Sequence, residues 1–347
     1  MEGKMKAAVL TEIGKIEIEE RPIPKPLDNE VLVKIKHVGI CGSDLHYYEH
    51  GRIGNAVVEK PIILGHESAG EVVEIGKNVT NLKVGDIVTL EPGYTCGKCE
   101  FCKTGRYNLC PDVVFMATPP IDGAFAEYVS YPSDMAFKLP SGMTTIEGAL
   151  VEPLSVGFHA AKQADAHIGQ TAAILGAGCI GISTMLALKS MGVTEVYMFD
   201  MIQKRLDMAK KLGATGVYRV DEVDPEKVIK DVTDGNGVDL VFETAGNKTS
   251  TLQTVSLVKR GGKITLVGMA PESILPFNIG GLMEKEASVN TVFRYRNLYP
   301  TAIKAVASGL IPVGDMVTDT FKFEDTAYAM KYSVENKRDI VKAVIEF

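Results

Sequence analysis

Alternating apolar and polar positions in the first part of the chain predict short strands separated by turn residues. Such runs are VLVKIKHVGI at 31–40, ESAGEVVEIG at 67–76 and GDIVTL at 85–90. Short, turn-bounded runs of this kind are typical of β-sandwiches and barrels. We therefore expect a mainly β domain with the shape of a partly open barrel.

From Thr171 onward, strand-like runs such as TAAILG, EVYMFD and VDLVFETAG alternate with helices predicted at 180–191, 202–212 and 249–258. This alternation predicts a parallel sheet with helices on both faces. The last segment, with a helix predicted at 299–308 and the strand-like DIVKAVIEF, is too small to fold alone and should return to the first domain. The expected fold is α/β, a doubly wound parallel sheet inserted into a mainly β domain. The predicted boundaries are 1–155, 156–293 and 294–347.

Composition and charge restrict the class of partner. A hydrophobic fraction of 46% with 23% charged residues indicates a globular protein rather than a disordered one. A net charge of -7 without a dense Lys/Arg run excludes nucleic acid as the expected partner. The N-terminus MEGKMKAAVL lacks a signal-peptide pattern, which predicts a cytoplasmic location. Residues 168–188 carry no charge, but their three glycines favour a strand, a turn and a buried helix start over a membrane span.

Four cysteines follow the spacing C-x2-C-x2-C-x7-C, at Cys96, Cys99, Cys102 and Cys110. Four thiolates in one loop are typical of a closed tetrahedral zinc site. Such a site has no position left for substrate, so it can only brace the loop. Free thiols and an iron–sulfur cluster are the alternatives, and disulfides are disfavoured in the expected compartment.

A second group of metal-binding residue types is dispersed along the chain. It comprises Cys41 in GICGSDLH, His66 and Glu67 in LGHESAG, and Glu152 in VEPLSVG. Each piece alone is a weak signal, because a buried histidine, for example, is more often a hydrogen-bonded core residue than a metal ligand. Together they supply a thiolate, an imidazole and carboxylates, which suits a zinc ion with an open position for water or substrate. We therefore predict a catalytic zinc here.

A dinucleotide fingerprint follows the first strand of the predicted parallel sheet. The motif G-x-G-x-x-G, at Gly176, Gly178 and Gly181, opens a helix whose N-terminus stabilises a pyrophosphate. Asp200 ends the next strand, where its carboxylate can accept the ribose hydroxyls and repel a 2′-phosphate, so NAD is favoured over NADP. Arg205 either helps to hold the adenosine ribose or, with Lys204, belongs to a solvated basic turn that could tolerate a phosphate.

The motif GHE-x2-G-x5-G-x2-V, from Gly65 to Val79, resembles the signature of zinc-containing medium-chain alcohol dehydrogenases. Within that family, four stretches resemble the sorbitol (L-iditol 2-) and xylitol dehydrogenases: CGSDLHYYEHGRIGN, CKTGRYNLCP with ATPPIDG, VEPLSVGFHA, and VFRYRNLYPTAI. The resemblance covers nearly the whole chain. It implies a Rossmann-type NAD-binding domain inserted into a GroES-like catalytic domain, and a homotetramer or dimer.

The resemblance also implies that Cys41, His66 and Glu67 bind the catalytic zinc, with Glu152 contacting it directly or through its water. Ordinary alcohol dehydrogenases have a cysteine ligand where this chain has Glu152, and a carboxylate there should change the acidity of the bound water or alcohol. Which glutamate is the direct ligand stays open at this point. Mammalian sorbitol dehydrogenases lack the full set of four loop cysteines, whereas this chain keeps all four.

The same resemblance implies roles for the remaining site residues. The predicted substrate pocket is lined by Tyr47, Phe115, Glu152, Arg294 and Tyr295. Core packing is the alternative for the aromatic residues, and a structural ion pair is the alternative for Arg294. Further contacts with NAD are predicted for Ile180, Val267, Gly268, Met269, Val292, Phe293 and Arg294.

Two residues after Cys41, Ser43 matches one proton-relay position of alcohol dehydrogenases, and His46 matches the other. The relay would run through them or through the water bound to Glu152. A surface or ribose-contacting role is the alternative for His46.

The expected function is the zinc-dependent transfer of a hydride from a secondary hydroxyl of a small polyol (sorbitol, xylitol or L-iditol) to NAD, giving the ketose. The first alternative is a zinc-dependent dehydrogenase of another alcohol, such as butanediol, threonine or a sugar phosphate. A phosphorylated substrate should need an additional basic cluster, and the chain offers only Arg294, Arg296 and Arg52. A nucleotide-binding protein that has kept the fold without turnover is the second alternative, because fold alone does not guarantee activity.

Overall fold

The computed structural model describes residues 2–270 and 274–347. The fold divides into two units. The first comprises Met1–Glu152, Tyr299–Ala307 and Val313–Phe347, and the second comprises Pro153–Leu298 and Ser308–Pro312. The second unit is therefore inserted into the first, with divisions after Glu152 and Leu298 where the sequence predicts 155/156 and 293/294.

The first unit is mainly β-structure. Its strands are β1 (Lys4–Glu12), β2 (Lys15–Pro22), β3 (Glu30–Ile40), β4 (Arg52–Ile53), β5 (Ala56–Val57), β6 (Ile62–Ile63), β7 (Glu67–Ile75), β8 (Ile87–Leu90), β9 (Gly93–Tyr94), β10 (Val114–Phe115), β11 (Tyr128–Pro132), β12 (Ala136–Lys138), β19 (Val317–Lys322) and β20 (Lys342–Glu346). Its helices are α1 (Gly42–His50), α2 (Glu100–Lys103), α3 (Thr145–Ala149), α10 (Tyr299–Ala307) and α11 (Thr326–Glu335).

A seven-stranded sheet forms the centre of this unit, in the order β12-β8-β7-β3-β20-β19, with β11 also paired to β3. Strand β3 is rich in valine and isoleucine, which favour a pleated surface, and it is buried along most of its length. The last strand, β20, pairs with the end of β3, from His37 to Ile40. The C-terminal segment thus completes the sheet of the first unit.

The second unit contains a six-stranded sheet and the helices that pack on it. Its elements are α4 (Val151–Gln163, whose first two residues belong to the first unit), β13 (Thr171–Leu175), α5 (Cys179–Ser190), β14 (Glu195–Asp200), α6 (Gln203–Lys211), β15 (Gly216–Arg219), α7 (Pro225–Val232), β16 (Val238–Glu243), α8 (Lys248–Leu257), β17 (Val258–Leu266), α9 (Ile279–Lys285) and β18 (Ser288–Thr291).

All strand pairs in this sheet are parallel, in the order β15-β14-β13-β16-β17-β18. The order reverses beside β13, whose neighbours are β14 on one side and β16 on the other. In open parallel sheets, ligands bind outside the carboxyl ends of the strands at such a point. The predicted doubly wound sheet is confirmed, and the predicted helices agree with α5, α6, α8 and α10 to within one residue at each end. Among the described residues, no helix is both long and apolar enough to cross a bilayer.

Candidate active site

The dispersed metal-binding residues of the first unit come together where β3 ends and β7 begins. These strands are antiparallel, and Gly39 faces Glu67 across the pair. Cys41 follows β3 and His66 precedes β7, so the pairing brings both side chains to the same edge. The Cys41 sulfur, one His66 ring nitrogen and one Glu67 carboxylate oxygen all lie within 4.8 Å of one another.

Asp44 fixes the two loops that carry these residues. It lies in the first turn of α1, is fully buried, and its carboxylate accepts hydrogen bonds from the amides of Cys41 and Gly65, each at 2.9 Å. The nearer carboxylate oxygen is 3.7 Å from Nδ1 of His66. Burial opposes a charge on His66, but Asp44 and Cys41 raise the pKa of the imidazole well above its ordinary value. The pocket therefore favours a positive charge on or beside this ring.

Glu67 is held from the other side by Lys342 of β20. The ammonium donates hydrogen bonds to both carboxylate oxygens, at 2.6 and 2.8 Å, and to the carbonyl oxygen of Ile40 at 3.1 Å. Both side chains are almost completely buried, with exposures of 2% for Lys342 and 1% for Glu67. Lys342 thus contacts the residue before Cys41 and the residue after His66.

This group fits a zinc ion by its chemistry and its geometry. Thiolate, imidazole and carboxylate are the usual zinc ligands, and bond lengths of about 2.0–2.3 Å put tetrahedral donors roughly 3.3–3.8 Å apart. The three ligand atoms lie within 4.8 Å of one another, so the most distant pair would have to approach by only about 1 Å to reach that spacing. Glu152 lies in the first turn of α4, buried, but it is not a member of the 4.8 Å group. Its contact with zinc, directly or through water, stays a prediction.

The four loop cysteines form a second group, also with all four sulfurs within 4.8 Å of one another. The sulfurs of Cys99 and Cys102 are 3.4 Å apart, and those of Cys96 and Cys110 are 3.6 Å apart. Zinc–sulfur bonds of about 2.3 Å place tetrahedral sulfurs roughly 3.8 Å apart, so the loop matches a closed zinc site. Cys99 also caps the short helix α2, whose residue Cys102 carries another of the sulfurs.

The dinucleotide motif of the second unit lies at the point where its strand order reverses. Gly176 has a φ of +107°, and a Cβ at Gly181 would come within 2.0 Å of the Gly176 carbonyl oxygen, so both positions require glycine. Gly178 is the N-cap of α5, and a Cβ there would lie 3.7 Å from Arg205 Nη1. A glycine-rich turn that opens a helix in this way lets a phosphate approach the backbone N–H groups of the helix N-terminus.

Asp200 ends β14 beside this loop. Its carboxylate accepts hydrogen bonds from the amide of Ala177 at 2.6 Å and from that of Ile202 at 2.9 Å. Each carboxylate oxygen has two lone pairs, so acceptor capacity remains for ribose hydroxyls. The predicted ribose acceptor therefore also braces the glycine loop, a role that the sequence did not predict.

Comparison with known proteins agrees with this geometry. Residues 27–141 match the model of the alcohol dehydrogenase GroES-like domain, and residues 179–308 match that of the zinc-binding dehydrogenases. The sorbitol dehydrogenase of Bacillus subtilis is 45% identical over 341 residues, which cover 98% of this chain and 97% of the relative. The chain belongs to the zinc-binding dehydrogenase family.

Solved structures place the dehydrogenase in the same group. An Escherichia coli oxidoreductase/dehydrogenase of unknown specificity has a TM-score of 0.96 and 45% identity, covering 99% of both chains. The 2R,3R-butanediol dehydrogenase of Bacillus subtilis has a TM-score of 0.91 and 31% identity, also covering 99% of both chains. The expected fold, a Rossmann-type domain inserted into a GroES-like domain, and the expected class of zinc-dependent oxidoreductase are confirmed.

The other predicted site residues of this dehydrogenase fall in both units. In the first, Ser43, His46 and Tyr47 lie on α1, where Tyr47 is buried and His46 is exposed. Phe115 ends β10, and its ring centroid is 5.7 Å from that of His66, so it borders the metal-binding group.

In the second unit, the predicted cofactor contacts lie beyond the carboxyl ends of β17 and β18. The amides of Val267 and Gly268 donate hydrogen bonds to the carbonyl oxygen of Glu243. The amide of Val292 donates a hydrogen bond to the carbonyl oxygen of Leu266. Arg294 stacks its guanidinium 4.9 Å from the centroid of the exposed Phe293 ring, and Tyr295 is buried. These positions share the sheet edge that carries the Gly176 loop.

Glu91, which the sequence analysis missed, follows β8 in the first unit and is almost completely buried. Burial raises its pKa to about 7 despite a hydrogen bond from Tyr107, and the charge of Glu152 contributes to the rise. The Tyr107 hydroxyl donates that bond at 2.5 Å from within the loop of four cysteines. Glu91 thus accepts a hydrogen bond from the cysteine loop, and the charge of Glu152 acts on its carboxyl group.

Proposed function

We propose that this dehydrogenase oxidises a secondary hydroxyl of a small polyol (sorbitol, xylitol or L-iditol) to the ketose, with NAD as hydride acceptor. The observation that carries the proposal is the group of Cys41, His66 and Glu67, in which Cys41 is half-buried and the other two residues are buried. The similarity to a sorbitol dehydrogenase over nearly the whole chain supports the polyol as substrate.

In this proposal, Cys41, His66 and Glu67 hold the catalytic zinc, and Glu152 binds it or its water. Zinc there would supply a Lewis acid that lowers the pKa of the substrate hydroxyl. Arg294 and the hydroxyls of Tyr47 and Tyr295 are proposed to bind further substrate hydroxyls, and Phe115 to exclude water. Ser43 is proposed to relay the released proton, accepting it as its own hydroxyl proton passes to His46, and His46 to release a proton to solvent.

NAD is proposed to bind along the carboxyl edge of the parallel sheet. Its pyrophosphate would lie on the Gly176–Gly181 loop, with Ile180 at the start of α5. Asp200 and Arg205 would bind the adenosine ribose. The nicotinamide half would contact Val267, Gly268, Met269, Val292, Phe293 and Arg294. The carboxylate of Asp200 supports NAD over NADP, because it would repel a 2′-phosphate.

The first experiment measures NADH formation by the purified enzyme across a panel of polyols, with butanediol, threonine and sugar phosphates included. Turnover is expected to be fastest with a polyol. Butanediol is the second candidate substrate, favoured by the 31% identity to a butanediol dehydrogenase. A clear preference for a non-polyol alcohol would contradict the proposal.

The second experiment compares Cys41→Ser with the unchanged enzyme. Turnover should be lost while NADH binding, measured by fluorescence titration, stays near normal, because Cys41 belongs to the metal-binding group and not to the glycine loop. Undiminished oxidation of sorbitol by a variant that contains no zinc at this site would refute the assignment.

We further propose that the enzyme is a cytoplasmic homotetramer. Sedimentation velocity at micromolar concentration should give the tetramer mass, and a monomer would contradict the assembly. Cell fractionation should recover the NAD-dependent activity in the cytosolic fraction.

A further inference from the structure

A buried carboxylate in the second unit has no part in the proposed chemistry. Glu243 ends β16 with 1% of its surface exposed, and no salt bridge holds it in the part of the chain that the structure describes. Its Oε1 instead accepts three hydrogen bonds, from the amides of Ala245 and Gly246 at 3.0 and 2.8 Å and from the Ser250 hydroxyl at 2.6 Å. The side chain therefore fixes the turn from β16 into α8.

The backbone of the same residue holds the segment that follows β17. The Glu243 carbonyl oxygen accepts hydrogen bonds from the amides of Val267 and Gly268, at 2.8 and 2.9 Å. Glu243 is thus bonded to two loops at once, through its side chain to the loop after β16 and through its main chain to the segment 267–269.

The two loops also touch each other backbone to backbone. Gly246 has a φ of +64°, and a Cβ there would come within 2.7 Å of the Met269 carbonyl oxygen. A Cβ at Gly268 would come within 2.3 Å of the Gly246 amide nitrogen and 2.7 Å of Glu243 Oε2. With so little space between them, a shift of the loop after β16 must shift the segment 267–269.

The contacts of Glu243 with the loop after β16 and with the segment 267–269 form a brace. This brace lies on the opposite side of the reversal point from Asp200. The Thr244 hydroxyl, next to Glu243, donates to the Gly176 carbonyl oxygen at 3.0 Å, which joins the brace to the glycine loop. A dinucleotide across such a point has its adenosine half on the β14 side and its nicotinamide half on the β16 side. The brace thus supports the half of the site that would hold the nicotinamide.

We propose that Glu243 is a positioning residue for the nicotinamide half of NAD, acting through the loop after β16 on the segment 267–269. The inference rests on the proposed function, because it requires NAD at this sheet edge. Glu243 itself need not contact the cofactor.

The test compares the binding of NADH with that of ADP-ribose, which lacks the nicotinamide, by calorimetry on the full-length, zinc-loaded enzyme. Glu243→Ala should weaken NADH about 10-fold or more, the loss expected when several hydrogen bonds to one loop are removed. Binding of ADP-ribose should change less than about 3-fold. Glu243→Gln keeps an oxygen acceptor and should restore most of the NADH affinity.

The matched control is Asp239→Ala, because Asp239 lies on the same strand at its other end. Its carboxylate accepts hydrogen bonds from the amide and hydroxyl of Thr171, at 2.8 and 2.9 Å, so its loss also removes two partly buried hydrogen bonds made by the same strand. This variant should leave the ratio of NADH to ADP-ribose affinity unchanged. Should Glu243→Ala fail to fold, Ser250→Ala removes one donor of the brace and should lower NADH affinity selectively, by a smaller factor.

If the Glu243 variants lose affinity for NADH and for ADP-ribose by the same factor, Glu243 contributes only to the general stability of the fold. That result would overturn the inference. Unchanged NADH affinity in Glu243→Ala, or in Ser250→Ala where the former does not fold, would overturn it as well. In either case the wild-type enzyme still binds NADH, so the proposed function survives. A wild-type enzyme that binds neither ligand would refute the proposed function and this inference together.

Discussion

Lys342→Met tests the buried ion pair behind the metal-binding group. The substitution keeps a long apolar side chain of similar volume but removes the three hydrogen bonds to Glu67 and Ile40. It leaves the Glu67 carboxylate buried at 1% exposure without its cation. Removing one partner of a buried ion pair typically costs about 3–5 kcal/mol, because the remaining charge is uncompensated.

Zinc changes the expected size of this effect. A bound metal ion would itself compensate the Glu67 charge, so the loss of about 3–5 kcal/mol applies to the zinc-stripped enzyme and should be smaller in the zinc-loaded one. Loss of a group that orients a ligand should also weaken zinc binding roughly 10- to 100-fold. Both effects should be largest around β3, β7 and β20, the strands that Lys342 connects.

Hydrogen exchange of the amides in these three strands measures the local opening free energy directly. The assay compares wild type, Lys342→Met, Lys342→Arg and the double variant Lys342→Met/Glu67→Gln, each with and without zinc. Lys342→Arg keeps the charge and should stay near wild type, and the double variant should recover part of the loss because no charge is left buried. The reasoning would be refuted if zinc-stripped Lys342→Met exchanged these amides at the wild-type rate. It would also be refuted if the double variant were no more stable than Lys342→Met.

Three further predictions concern the cofactor, pH and the cysteine loop. Asp200→Ser should raise kcat/KM for NADP relative to NAD by about 10-fold or more in initial-rate assays, and an unchanged ratio would contradict the role of the carboxylate. Burial, together with the charges of Arg296 and Lys162, lowers the pKa of His159 to about 4. As the pH drops from about 7 toward 4, this imidazole is therefore protonated in the unfolded chain but not yet in the folded one, and the free energy of unfolding falls. Relative to His159→Gln, wild type should lose about 2 kcal/mol of unfolding free energy between pH 7 and pH 5 in urea titrations, and parallel pH profiles would count against the assignment. Cys102→Ser should lose the zinc of the loop but retain that of the Cys41 group, as metal analysis and protease sensitivity of the loop would show; an unchanged zinc content would argue against a four-cysteine site.

Elements with a strong local pattern were predictable from the sequence. Strand β13, the glycine turn and α5 follow one another within about 20 residues, and each is specified by its own neighbours. Helices α1 and α4 were not predicted, although they carry Asp44 and Glu152. Both begin close to a buried segment, and the first turn of α4 contains a proline, Pro153, so the local pattern does not mark where either helix begins. Asp44 had one readable signal, an acidic residue three positions after the N-cap Cys41.

The sequence by itself determined the kinds of ligand and the segments that carry them: the loop of four cysteines, the GHE motif, and the glycine loop with its acidic residue after the next strand. These signals are local, because spacing along a loop or a turn limits which atoms can meet. Only the tertiary structure decided how the buried charges are compensated. Lys342 reaches Glu67 across 275 positions of sequence, and Asp44 reaches Gly65 across 21. A buried charge requires a partner, but the strand pairing that delivers the partner depends on the whole sheet.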